Sequence, residues 1–221
     1  MSSRIDDSVV WDWQGMNGDA QPLQIVQAGT GQSGTIALST TVDEVLTNTK
    51  SLKLTQQTSS GAGNVKGRLV IPRPLGLPRM RVGVVYRMFD DDANFDYFQV
   101  QLNDNDGTNY RQAIMKQNSA EGVTEEIQYQ NSAGALIDTG FTYPADQGNA
   151  AQQWYTLEMD VDLQAKDYTR LQFCNETDLV AKGMKELTAS NYPSLLLQFR
   201  FQGDDTLCQV NIDSVYLRRL A

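Results

Sequence analysis

The sequence predicts an all-β chain, folded as two antiparallel sheets packed face to face, with at most one short helix. Three observations carry this expectation. Segments of alternating apolar and polar residues recur along nearly the whole chain, clusters of Gly, Asn, Asp and Ser separate them, and sustained helical periodicity is missing. Strands are read at residues 8–13, 23–27, 34–38, 51–56, 67–71, 80–88, 96–103, 109–116, 124–130, 135–139, 154–163, 168–175, 194–202 and 206–219. With 221 residues, 40% of them apolar, a single domain over 1–221 can enclose a sizeable core, residues 1–7 forming a flexible N-terminal arm.

Taken in order, the first strand aligns Trp11 and Trp13 with Val9, as a core edge or as an aromatic platform for sugar rings. The stretches Gly29 to Gly34 and Gln56 to Gly63 read as surface loops or wide hairpins. Asp104-Asn105-Asp106-Gly107 is a hairpin turn joining Tyr97–Leu102 to Tyr110–Ile114, because Asp-Gly supplies the positive φ such turns require. The cleanest strand is 154–163. There Tyr155, Leu157, Met159, Val161 and Leu163 share one face, while Trp154, Thr156, Glu158, Asp160 and Asp162 share the other. Thr177 to Leu187 reads as one short helical turn covering a sheet, weakened by Gly183. Leu195, Leu197, Phe199 and Phe201 then fill one face, and Gly203-Asp204-Asp205 turns the chain into a last strand expected to pair antiparallel with the one before it. In that last strand Val210 and Ile212 have the opposite parity to Val215 and Leu217, so a bulge near Asp213-Ser214 is needed to turn both pairs inward.

Composition narrows the chemistry. The chain has no histidine, which removes Ser-His-Asp and Cys-His nucleophile systems and the commonest transition-metal ligand. Its two cysteines, Cys174 and Cys208, form no C-x-x-C pair, so they read as buried free thiols, with a single disulfide as the alternative. A net charge of -9 opposes a nucleic-acid partner. The N-terminus lacks a basic segment followed by an apolar run, and no stretch is long and apolar enough for insertion into a membrane, so a soluble protein without a signal peptide is expected.

Lys50-Ser51-Leu52-Lys53-Leu54, Tyr97 to Leu102, Trp154 to Leu163 and Asn211 to Leu217 together resemble the concanavalin A-like lectin/glucanase group, which includes laminin-G-like domains and many carbohydrate-binding modules. The resemblance implies a two-sheet jelly roll, a fold shared by lectins, glycoside hydrolases, polysaccharide lyases and viral surface proteins. In that group's retaining glucanases a Glu-x-Asp-x-Glu strand supplies nucleophile and general acid/base. Glu158-x-Asp160-x-Asp162 is similar to it with Asp in the last place. Retaining hydrolysis needs carboxyls about 5–5.5 Å apart, and four residues of strand span roughly 13 Å, so the acids read first as a solvated sheet face.

Other candidates are Asp90, Asp91, Asp92 and Asp96, an acidic patch that could hold a structural calcium, although no defined calcium-loop spacing is present and no cofactor is otherwise implied. Trp154, Glu158, Asp160 and Tyr143 are the candidate sugar-groove residues, and Tyr110, Tyr129 and Tyr192 stand near loops or strand ends. The favoured reading is a non-enzymatic binding or structural protein on a phage or virus surface, a capsid-decoration or tail-associated homo-oligomer with protein or glycan partners. A carbohydrate-binding module is the first alternative, and a hydrolase or lyase of the same fold the second.

Overall fold

The computed structural model describes residues 9–14, 24–28, 34–39, 46, 51–56, 64–73, 76, 79–89, 95–118, 126–141, 154–178, 182–188, 192–203 and 209–220. They form seventeen strands: β1 (Val9–Gln14), β2 (Gln24–Ala28), β3 (Gly34–Ser39), β4 (Ser51–Gln56), β5 (Asn64–Pro72), β6 (Arg79–Phe89), β7 (Phe95–Asn105), β8 (Asn109–Asn118), β9 (Glu126–Gln130), β10 (Leu136–Asp138), β11 (Trp154–Asp162), β12 (Asp167–Phe173), β13 (Glu176–Asp178), β14 (Lys182–Gly183), β15 (Lys185–Thr188), β16 (Ser194–Gly203) and β17 (Gln209–Arg219). Each strand expected from the sequence is present to within a few residues, because each carries the alternation that a half-buried sheet demands.

Sheet A runs β13-β12-β11-β6-β17-β4-β3, with β1 also on β17 and β14 also on β12. Sheet B runs β10-β9-β8-β7-β16-β5-β2, with β15 also on β8. Every pairing is antiparallel. The core lies between the sheets. Leu52, Leu54, Val82, Val84, Leu157, Met159, Val161 and Leu171 face it from sheet A, and Leu69, Val100, Leu102, Met115, Leu195, Leu197 and Phe199 from sheet B, all at most 1% exposed. Tyr86 of β6 packs tilted against Phe98 of β7 at 4.3 Å between centroids and donates its hydroxyl proton to the buried Gln117 of β8. That bond ties the two sheets together through Gln117, which β8 turns inward.

The bulge in β17 is where parity demands it. The register against β6 shifts between Ile212 and Ser214, and Val210, Ile212, Val215 and Leu217 are all fully buried. The shift also divides one edge of β17, its first half pairing β4 and its second half β1.

Two expectations are corrected. β16 and β17 do not pair: β16 is flanked by β5 and β7 in sheet B, and β17 by β6, β4 and β1 in sheet A. Residues 204–208 lie outside the described residues, and both strands are central in their sheets, so each takes its neighbours from elsewhere in the chain. The region Thr177 to Leu187 is extended wherever it is described, as β13, β14 and β15, with residues 179–181 outside the described residues. β-branched Thr177 and Gly183 are poor helix formers, and the strands satisfy open sheet edges instead. Here the chain changes sheets: β14 pairs with β12, β15 with β8, and between them buried Met184 donates its N–H to Lys166 O at 2.7 Å.

Candidate functional site

The outer face of sheet B is built by four strands in register. Alternation sends Phe98, Val100 and Leu102 of β7 into the core and turns Tyr97, Gln99, Gln101, Asn103 and Asn105 outward. Across the strands these residues fall into rows. Pro72, Ser194, Asn105 and Tyr110 form one; Val70, Leu196, Asn103 and Gln112 the next; Arg68, Gln198, Gln101 and Ile114 a third; Lys66, Arg200, Gln99 and Lys116 a fourth.

Along β7 the outward side chains from position 99 to 103 are amides, and although they face away from the core they are nearly inaccessible: Gln99 is 6% exposed, Gln101 7% and Asn103 1%. Buried polar groups must be paired, and these pair with one another. Gln99 Nε2 donates to Gln101 Oε1 at 3.0 Å, and Gln101 Nε2 donates to Asn103 Oδ1 at 2.8 Å. From the side, Gln198 Nε2 donates to Gln101 Oε1 at 3.2 Å, and Arg68 Nε donates to Gln198 Oε1 at 2.7 Å. The ladder is directional. Its donors point toward Asn103, whose own Nδ2 is buried without a partner.

Asn103 lines a cleft of about 300 Å³ with Val70, Asn105, Tyr110, Tyr192, Ser194 and Leu196. Tyr192 is 93% exposed and Val70 is exposed, whereas the Tyr110 hydroxyl accepts from Gln101 and Gln112 at 3.4 and 3.5 Å. Burial, partly offset by those two donors, raises the Tyr110 pKa, so this phenol stays neutral and keeps its proton to donate. The cleft therefore combines an exposed aromatic face, apolar walls and an unspent amide donor. Of the tyrosines singled out in the sequence, Tyr110 and Tyr192 meet here; Tyr129 instead packs edge-on against Tyr168 at 5.7 Å, and Tyr143 lies outside the described residues.

The acids of β11 stand on the outer face of sheet A, on the opposite side of the molecule from this cleft. Trp154, Glu158, Asp160 and Asp162 share that face, and the pairing of β11 with β6 is unbroken from Trp154 to Asp162, so Glu158 and Asp162 keep the regular strand spacing. Each acid is matched to cations on neighbouring strands. Asp160 takes a two-pronged bond from Arg81, at 2.7 and 2.8 Å, and lies 3.6 Å from Arg170. Arg170 meets Glu158 at 2.8 Å, and Tyr216 donates to the same carboxylate. Asp162 meets Arg79 at 3.3 Å and caps the following turn by accepting from the N–H groups of Gln164 and Ala165. Hydrogen bonding to Asp160 is the main reason the Arg81 guanidinium holds its proton more tightly than usual.

The acidic patch at Asp90, Asp91 and Asp92 lies outside the described residues, as do the side chains of Asp96, Trp11 and Trp13. No cluster of three or more metal-ligating side chains occurs among the described residues. Cys174 is a free, half-buried thiol whose pKa burial raises; Cys208 lies outside the described residues. Among the described residues no helix is long and apolar enough to cross a membrane.

No protein-family model and no curated protein sequence matches the chain. Solved structures share its architecture. The metal-free form of lectin I-B4 from Griffonia simplicifolia superposes with a TM-score of 0.54 at 10% identity, over 94% of this chain and 98% of the lectin. The CBM2 module of evolved Dit from Lactobacillus casei BL23 phage J-1 gives 0.54 at 12% identity over 97% of both chains. A conserved carbohydrate esterase from Shiga toxin-encoding bacteriophage phi24B gives 0.50 at 12% identity, over 97% of this chain and 100% of that one. The chain has the concanavalin A-like lectin/glucanase fold.

Proposed function

We propose that the chain works by binding a glycan, without catalysis, on the outer face of sheet B. The observation that carries this reading is the cleft where exposed Tyr192 stands beside Asn103 Nδ2, the unpartnered end of a buried amide ladder. A sugar ring matches both features, since its C–H face packs on an aromatic ring while its hydroxyl oxygens accept from an amide. A buried donor without a partner costs about 1–3 kcal/mol, and a ligand hydroxyl that fills it recovers part of that. The β11 acids are committed to arginines on the opposite face, which supports a structural role for them.

Likeness to a phage carbohydrate-binding module and a phage esterase supports the setting expected from the sequence, a virion surface, where this face would hold the particle to a host polysaccharide. A glycan array probed with the labelled protein tests the function. Binding to defined oligosaccharides, competed by the same sugars free in solution, is expected; silence across neutral and acidic glycans alike would falsify the reading.

A further inference from the structure

The cleft occupies one end of the face, and the other end is built differently. Two rows along the strands, roughly 13 Å from Val70 and Leu196, the outward positions become cationic: Lys66 of β5 lies directly opposite Arg200 of β16, with Arg68 diagonal to it. Like charges placed opposite each other destabilise an antiparallel pair. Burial, and then the neighbouring Arg200 and Arg68, lower the pKa of Lys66. Elsewhere Arg73, Arg79, Arg81, Arg111 and Arg170 each meet a carboxylate, whereas Lys66, Arg68 and Arg200 meet none among the described ion pairs. The Arg200 guanidinium lies 5.4 Å from the centroid of the Tyr97 ring, which the Lys116 ammonium also covers at 4.4 Å, and Arg200 Nε is buried without a hydrogen-bond partner. Of the carboxylates along β9 and β10, at the edge of the sheet, Glu126 accepts from Gln128, and Asp138 accepts from the N–H of Gly140. A chain of net charge -9 has thus gathered on the face that carries its cleft three cations that meet no carboxylate among the described residues.

We infer that the glycan is acidic: a polysaccharide bearing ring carboxylates, one of which is held by Arg200 and Lys66 while a neighbouring unit reaches the cleft at Tyr192. The inference rests on the glycan-binding reading and adds the class of ligand. An anion at Arg200 takes the donor that the protein leaves unpaired and relieves the repulsion between Lys66 and Arg200. A nucleic acid is a poorer match, because the Tyr97 ring that could stack a base is covered by Lys116 and Arg200.

The test is titration calorimetry with oligomers of galacturonate, alginate and hyaluronan, each against its carboxyl-reduced, neutral counterpart. At least one acidic oligomer is expected to bind roughly tenfold or more tightly than its reduced form, with an affinity that falls as salt rises. Arg200→Gln is expected to bring the two affinities together, and Arg200→Lys to restore part of the difference. Lys66→Gln, a change at a partly exposed side chain, provides the same reading if the Arg200 variants fail to fold. Equal affinity for acidic and reduced oligomers, or a preference that survives Arg200→Gln and Lys66→Gln, overturns this inference and leaves the glycan site standing. Displacement of the bound acidic oligomer by a thymidine oligonucleotide at equal charge concentration overturns it in favour of a general polyanion site. Failure of every oligomer, acidic and neutral, overturns this inference, and silence on the glycan array as well sinks the glycan-binding reading.

Discussion

Tyr216 reaches Glu158 by lying across Gly83. The three residues occupy one row of sheet A, with Tyr216 of β17 and Glu158 of β11 on either side of Gly83 in β6. Because position 83 has no side chain, the phenol ring fills the space above it and its hydroxyl donates to the carboxylate. Arg218 stacks on the same ring at 4.5 Å, and Arg170 holds the other side of Glu158. Burial first, and then the adjoining carboxylate, raises the tyrosine's pKa, so the phenol remains a donor. A Cβ at position 83 would overlap the ring. Gly83→Ala is therefore expected to cost about 1–3 kcal/mol in urea denaturation, an overpacking penalty. Combining it with Tyr216→Ala should give less than the sum of the two losses, since the second change removes the clash. Strict additivity would show that the ring does not depend on the glycine.

Tyr168 closes a break in the edge ladder of β8. That edge is paired by β15 over Asn109–Gln112 and by β9 over Met115–Asn118, which leaves Ala113 and Ile114 between partners. The fully buried Tyr168 hydroxyl enters from sheet A, accepting from Ile114 N at 2.7 Å and donating to Ile114 O at 3.3 Å. Tyr168→Phe keeps the ring and strips both bonds, so it should lower unfolding free energy by about 1–3 kcal/mol, the penalty for orphaned buried polar groups. Amide hydrogen exchange at Ile114 should accelerate well beyond that of its neighbours in β8. An unchanged Ile114 rate would mean that another group caps the gap.

Asp104 anchors the turn end of sheet B through a fully buried carboxylate. Arg73 and Arg111 both hold it, the latter at 2.9 Å, and Arg111 continues to Asp106 at 2.7 Å. Asp104→Ala leaves two guanidinium groups facing each other and should cost about 3–5 kcal/mol, as breaking a buried charge pair does. Asp106→Ala, at a partly exposed carboxylate of the same network, should cost less. A smaller loss at 104 than at 106, by chemical denaturation, would contradict this account.

Acid should weaken the same corner. Backbone N–H bonds from Asn109 and Thr108, with Arg111 behind them, hold the Asp106 carboxyl far below its ordinary pKa, and Lys166 lowers that of Glu186. A carboxyl whose pKa is lowered on folding binds fewer protons than the unfolded chain does. Its contribution is complete above the unfolded value, near pH 4, and fades as pH falls below that. The urea midpoint should therefore drop from about pH 4 downward, and Asp106→Asn should flatten that drop. A variant with an unaltered pH profile would assign the acid lability to other groups.

The bulge in β17 could be read from parity alone, because Val210 and Ile212 cannot join Val215 and Leu217 in one core without an extra residue. Sheet order could not be read in this way. The Gly-Asp-Asp turn signal is local, and what separates β16 from β17 is that each already has partners from distant parts of the chain. β13, β14 and β15 escaped notice because two to four residues are too short to show alternation, and one strand path there serves both sheets. The candidate cleft was hidden for a related reason. Gln99, Gln101 and Asn103 look like an ordinary wet face until β16 places Gln198 beside Gln101, and Tyr110 and Tyr192 become neighbours only through the pairing of β7 with β8 and β16.

Tyr192 and Asn103 should separate ligand contact from structure. Tyr192 is almost wholly exposed, so Tyr192→Ala removes nothing from the core and should leave the melting temperature unchanged while weakening glycan binding by roughly tenfold, the loss of one aromatic platform. Asn103 is buried and accepts from Gln101 and, at 3.5 Å, from Gln112, so Asn103→Ala should lower stability and binding together. Asn103→Asp keeps the acceptor for Gln101 but replaces the unspent donor with a negative charge. It should preserve more stability than alanine and weaken binding, because the ligand hydroxyl must turn to donate where it had accepted. Scanning calorimetry beside glycan titration of the three variants gives both quantities for each, and full binding by Asn103→Asp would remove Asn103 from the site.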